Sequence, residues 1–176
     1  MSVRAKYYAD WASLLLGLGL GLTIAIFFES STSADWAWPY PLIISLSRFC
    51  ALVGTYLSLV GIIMVSRISW IEKSVGHDRL VKWHRKLGPY SIFLVTLHLL
   101  LVALGYAGNE GLRVGSEIWK MTFNYSWMLP AMAGFLFLAA AGITSYKRVR
   151  SKMSYETWWT IHLYTYLAIA LSYMHQ

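Results

Sequence analysis

Apolar residues in this chain come in long runs that charged residues interrupt only at intervals. Eighteen uncharged residues separate Asp10 from Glu29, and eighteen more separate Arg48 from Arg67. Twenty-three lie between Lys86 and Glu110, twenty-six between Lys120 and Lys147, and twenty follow Glu156. A helix that crosses a bilayer needs about 20 predominantly apolar residues. The runs therefore predict five membrane spans, near residues 11–28, 42–65, 87–106, 126–146 and 157–176. No segment reads as a strand, no internal repeat is evident, and the connections are short. The expected fold class is all-α: a membrane-embedded helical bundle forming a single transmembrane domain over residues 1–176.

Composition narrows the function classes. Of 176 residues, 57% are apolar and 13% charged, against about 25% charged in a typical soluble domain. A soluble enzyme and a disordered chain are excluded. The net charge of +7 would suit a nucleic-acid-binding domain, but its distribution has a different cause. Arg4 and Lys6 precede the first span. Arg67, Lys73, Arg79, Lys82, Arg85 and Lys86 lie between the second and third, and Lys147, Arg148, Arg150 and Lys152 between the fourth and fifth. With five spans, all twelve fall on one side of the bilayer. Only Arg113 and Lys120 fall on the other, and Arg48 lies inside the second span. Cytoplasmic loops carry the excess of Lys and Arg. The expectation is a multi-pass plasma-membrane protein with a cytoplasmic N-terminus, the lipid bilayer as partner, and no nucleic acid.

Tryptophan agrees with this orientation. Trp11, Trp70, Trp83, Trp158 and Trp159 fall at inner span ends, and Trp36, Trp38, Trp119 and Trp127 at outer ends. Indole is favoured at the headgroup level, so all nine read as belt residues. Arg4 and Lys6 ahead of an apolar run also suit a signal peptide. The run exceeds the roughly 7–15 residues of such an apolar region, so the first span is expected to be retained. Gly17 and Gly21 have the spacing that lets two membrane helices approach closely. The single Cys50 excludes an intramolecular disulfide, and no Cys-x-x-Cys-His is present, so any haem is held without thioether links.

Histidine carries the chemistry. His98 lies in the middle of the third span, among Leu, Val and Thr. An imidazole there needs a partner, either another helix or a ligand, because unsatisfied polar groups in hydrocarbon cost several kcal/mol. His84 precedes it by 14 residues, and His175 follows His162 by 13 in the fifth span. At 1.5 Å per residue these pairs are separated by about 21 and 20 Å along their helices. Spans three and five run in the same direction. His84 can therefore lie level with His162, and His98 with His175. Facing imidazoles at two depths are what two stacked bis-histidine haems require, whereas a 20 Å separation forbids a four-histidine zinc site. One feature of the phase resists this reading: 13 residues at about 100° each miss the starting face by about 140°. His77 lies in a charged inner segment and reads as a solvated loop residue.

The paired spacing of His84, His98, His162 and His175 resembles the ferric reductase and NADPH oxidase transmembrane domain family, as does the inner segment from Trp70 to Gly88. The resemblance covers essentially the whole chain. It implies transmembrane electron transfer through two non-covalent b-type haems, His84 and His162 binding the inner one, His98 and His175 the outer. Cytosolic NAD(P)H would reduce a flavin, and electrons would leave to ferric iron or dioxygen outside. Arg85 beside the inner pair and Arg48 near the outer pair are candidate partners for haem propionates.

The family pattern adds a sixth span and a cytosolic domain for FAD and NAD(P)H. The chain contains no phosphate-binding glycine motif on a strand–helix turn. Those cofactors are expected only through a missing or separate domain. The chain then represents the membrane portion of an oxidoreductase, inactive alone without a flavin reductase domain or subunit. The alternative is a haem-binding subunit fed by a separate reductase or by quinol. A non-redox helical membrane protein with structural histidines is the third reading.

Overall fold

The structure is a computed structural model that describes residues 3–175; the side chains of residues 3–6 and 9 are outside the description, which leaves aside Arg4, Lys6 and Gln176. Among the described residues every regular element is helical. Long helices are α1 (Val3–Glu29), α2 (Tyr40–Val65), α4 (His77–Glu110), α6 (Met128–Ser145) and α8 (Tyr155–Tyr173). Shorter ones are a 3-10 turn over Ser33–Trp36, α3 (Ser69–Val75), α5 (Val114–Asn124) and α7 (Lys147–Arg150). Four helices are long and apolar enough to cross a membrane: Asp10–Glu29, Tyr40–Val65, His77–Glu110 and Met128–Ser145. They match the first four expected runs. Helix α8 is as long as α6 but less apolar, because it carries Trp158, Trp159, Tyr164 and Tyr166.

The bundle is organised as antiparallel pairs, α2 with α4 and α6 with α8. Small residues make both pairs close. A Cβ on Gly105 would lie 2.5 Å from Ile44 of α2. One on Gly134 would lie 2.6 Å from the Ala168 carbonyl oxygen and from Ser172 Oγ of α8. Ser58 Oγ lies 2.5 Å from Ser91 Oγ, tying the centre of α2 to α4. The two pairs touch each other far less than their own members do. Helix α1 leans on α2, where the Tyr56 hydroxyl donates to the Leu16 carbonyl at 2.6 Å, and most of its large side chains stay exposed. That exposure is what a lipid-facing helix shows.

Several expectations are corrected. Gly17 and Gly21 meet no neighbour; Gly19, on the opposite side of α1, receives the Tyr56 ring. The third span starts ten residues earlier than expected, at His77, and continues through Pro89. At 1.5 Å per residue its 34 residues reach about 51 Å, well beyond a hydrocarbon layer of about 30 Å. Its first turns still pack on the bundle, Leu80 being buried in one cluster with Val60, Met64 and Val75, and His77 is an exposed helix-start residue rather than part of a loop. Gly76, at φ +90°, separates α3 from α4 in a conformation that an L side chain rarely adopts. The connection after α4 is not a plain loop but holds α5, whose Glu117 and Met121 face inward one turn apart. The fifth helix ends at Tyr173, short of His175.

The alternation of helix direction places the α2–α3–α4 junction and α7 at one end. The basic residues Lys82, Arg85, Lys147 and Arg150 therefore gather there, and Lys120 and Arg113 lie at the other.

Candidate functional site

The parallel helices α4 and α8 face each other with imidazoles at two levels. The ring centroids of His84 and His162 are 6.0 Å apart, and those of His98 and His175 are 6.4 Å apart. The planes are nearly perpendicular in the first pair, at 84°, and inclined by 39° in the second.

Backbone carbonyls and hydroxyls occupy one nitrogen of every ring. His84 Nδ1 is 3.1 Å from the Gly61 carbonyl oxygen, and His98 Nδ1 is 3.1 Å from that of Ser47 and 2.8 Å from Ser47 Oγ. His175 Nδ1 is 2.5 Å from the Ser172 carbonyl oxygen, and His162 Nδ1 is 3.3 Å from Ser145 Oγ. A carbonyl oxygen only accepts, so in three of the four rings Nδ1 carries the hydrogen. That leaves Nε2 with its lone pair, the form in which imidazole binds a metal.

The separation within each couple suits a metal held between two imidazoles. With a metal–nitrogen bond of about 2 Å and a ring centre about 1 Å beyond the nitrogen, two trans imidazoles have centroids about 6 Å apart. Each site would draw one ligand from each antiparallel pair, across the seam where the pairs touch little. At the level of His98 and His175 that seam opens into a cavity of about 380 Å³. Its walls include Ser47 and Arg48 of α2, Met121 of α5, Phe135 of α6 and Ile169 of α8. A second hollow of about 430 Å³ at the α3–α4 junction, beside His77 and Lys82, is lined by neither His84 nor His162.

The missed phase of the 13-residue pair has a local explanation. Helix α8 ends at Tyr173, Met174 is its cap, and His175 lies beyond the last helical turn. Its ring folds back to donate to Ser172, three residues earlier, which returns it to the His98 side.

Arg48 lines the cavity beside His98 and His175. Its side chain is 42% exposed, with Nη1 at 3.5 Å from Asp35 Oδ1 and Nη2 at 3.4 Å from Ser30 Oγ. The Thr32 backbone N–H and hydroxyl, at 2.7 and 2.9 Å, hold the Asp35 carboxyl below the usual carboxylate range, and Arg48 adds to this. Lys120 is committed to Glu110 and lies 3.7 Å from Glu117, whose carboxylate is fully buried without a hydrogen bond. Arg85 follows His84 in sequence but is exposed, and no described contact joins it to either inner histidine.

Sequence reasoning missed the residues around the rings. Trp158 is more than a belt residue: its ring stacks on His162 at 5.1 Å and 23°, and its Nε1–H donates to Ser145 Oγ at 3.1 Å. The Arg150 guanidinium lies 4.9 Å from the Trp158 ring centre. The available signal was spacing, since residues four apart share a helix face. Likewise Ser47 and Gly61 are fourteen residues apart, as are His84 and His98.

The magnetosome protein MamZ of Magnetospirillum gryphiswaldense is 31% identical over 106 residues, 60% of this chain and 16% of the relative. The protein-methionine-sulfoxide reductase heme-binding subunit MsrQ of Caulobacter vibrioides is 28% identical over 97 residues, 55% of this chain and 44% of the relative. The matched region thus spans less than half the length of either relative. No solved structure matches. The family description Ferric reductase like transmembrane component matches residues 50–173, a region that holds His84, His98 and His162 and stops two residues short of His175, and the chain belongs to that family.

Proposed function

We propose that the chain is the di-haem, electron-conducting membrane portion of an oxidoreductase, folded as a single transmembrane domain with α8 as a fifth span. The observation that carries this reading is the pair of level-matched histidine couples, each ring engaged through Nδ1. His84 and His162 hold the inner b-type haem, and His98 and His175 the outer. Haem held by these residues would supply one-electron ferric–ferrous chemistry. The protein residues supply the rest. The Nδ1 acceptors fix the ring orientations. The apolar seam would exclude water, and Arg48 and Arg85 would be the partners of the outer and inner propionates.

Lys82, Arg85, Lys86 and Arg148 form a basic inner face that attracts an acidic partner. The partner is a flavin reductase domain or subunit using FAD and NAD(P)H, and the acceptor is a small molecule outside, ferric iron or dioxygen. The name of the Caulobacter relative, a heme-binding subunit, favours the version in which a separate reductase or quinol feeds the chain. The N-terminus is cytoplasmic and the membrane is the plasma membrane.

Pyridine haemochrome quantitation of reconstituted protein should give about two haems per chain, and less than one sinks the reading. For orientation, Ser74→Cys and Ser116→Cys in a Cys50→Ala background should label from opposite sides. Labelling of Ser74→Cys by an impermeant reagent in intact cells reverses inner and outer.

A further inference from the structure

We propose that Ser47 is a positioning residue that sets the outer histidine couple apart from the inner one, its hydroxyl holding His98 so that the outer site favours ferric over ferrous iron. This rests on the di-haem reading. Helix α2 treats the two α4 histidines alike through its backbone: the Gly61 carbonyl oxygen meets His84 Nδ1 at 3.1 Å, and the Ser47 carbonyl oxygen meets His98 Nδ1 at the same distance. The fourteen-residue spacing repeats on both helices, so the carbonyl contacts are equivalent. The side chains are not. Gly61 has none, whereas Ser47 brings a hydroxyl to 2.8 Å from His98 Nδ1.

The direction of each bond follows from the acceptors. The Ser47 carbonyl oxygen can only accept, so His98 Nδ1 carries the hydrogen and shares it with the carbonyl and with Ser47 Oγ. The hydroxyl proton is then free to go to the His98 carbonyl oxygen, 3.0 Å away. Ser47 thereby grips both the ring and the backbone of one ligand, and it is completely buried. Burial alone does not explain this. Ser45, two residues earlier on α2, is equally buried, and its hydroxyl has no partner among the described residues.

Donation from Nδ1–H makes the opposite ring nitrogen a stronger donor to the metal. A stronger imidazole donor stabilises the more highly charged ferric state, and hydrogen bonding around the ligands is a recognised lever on haem potential. The extra hydroxyl therefore lowers the potential at the outer couple only.

The test is a redox titration of purified Ser47→Ala, with His98→Ala identifying the outer wave as the one it abolishes. Ser47→Ala keeps the carbonyl acceptor, so haem content should stay at the wild-type value. The outer wave should rise, by about 59 mV if the ferric preference falls tenfold, while the inner wave stays fixed. Ser45→Ala, which removes a buried hydroxyl of the same size, should move neither. Selective loss of the outer haem in Ser47→Ala, restored in Ser47→Thr, also supports the assignment. Unmoved waves, equal movement of both waves, loss of both haems, or the same shift in Ser45→Ala overturns it. A wild-type protein without haem refutes the di-haem reading itself, whereas a two-haem wild type with unmoved waves refutes the role of Ser47 alone.

Discussion

The two histidine couples draw one ring each from α4 and α8, yet they are built differently. The inner couple joins two helix-interior residues, with perpendicular rings at 84° and an aromatic and cationic cover formed by Trp158 and Arg150. The outer couple joins a helix-interior residue to one beyond a helix end, with rings inclined by 39° and a cavity beside them. The inner rings use one long and one ordinary contact at Nδ1, at 3.3 and 3.1 Å; the outer ones use the shortest, at 2.5 and 2.8 Å. One ligand pattern can thus give two electronic environments, because the second nitrogen of each ring meets whatever its neighbouring helix presents.

Breaking either couple should have the largest effect. His98→Ala should remove mainly the outer haem and His84→Ala mainly the inner, each halving the haem content. In oriented vesicles with reductant confined inside, His98→Ala should still show reduction at the inner site and fail to reduce an outer ferric chelate. A wild-type rate on that chelate would refute the relay.

Next comes a steric break. Gly134→Val forces a side chain against the Ala168 carbonyl and against Ser172, whose own carbonyl holds His175. Overpacking costs about 1–3 kcal/mol. Thermal unfolding in detergent should show that loss, and the outer haem should be depleted before the inner.

Trp158→Leu should act more gently and on the other couple. It removes the ring stacked on His162 and the donor to Ser145. Both haems should be retained, with only the inner wave of a redox titration displaced.

The ring planes allow a sharper comparison without mutation. Perpendicular imidazoles leave two iron d orbitals nearly equal in energy, and inclined ones split them. Low-temperature EPR should therefore show two low-spin signals, the more anisotropic from the His84/His162 couple and lost in His84→Ala.

The smallest effect belongs to the outer loop. The Asp35 carboxyl is depressed by Thr32 and Arg48, so its stabilising contribution is present above the usual carboxylate range and is lost only as pH falls through the depressed value. Acidification from neutral to about pH 4 should leave the outer site's spectrum unchanged. Because the ion pair with Arg48 is open to solvent, Asp35→Asn should leave thermal stability unchanged within error.

Much of this molecule is legible in one dimension. Runs of uncharged residues located four of the long helices, because a bilayer demands a fixed length of apolar helix and admits few charges. The same rule left α8 marginal, since its tyrosines and tryptophans dilute the apolar signal that the other helices carry. Axial spacing alone also put His84 level with His162 and His98 level with His175, because the rise of a helix does not depend on its surroundings. Rotational phase is different. The turn that brings His175 back to His98 lies past the end of α8, and where a helix stops is a matter of capping and packing. Only the tertiary structure decided which carbonyl or hydroxyl meets each Nδ1. Those contacts join residues such as Ser47 and His98, 51 positions apart, and depend on how far one helix slides and turns against another.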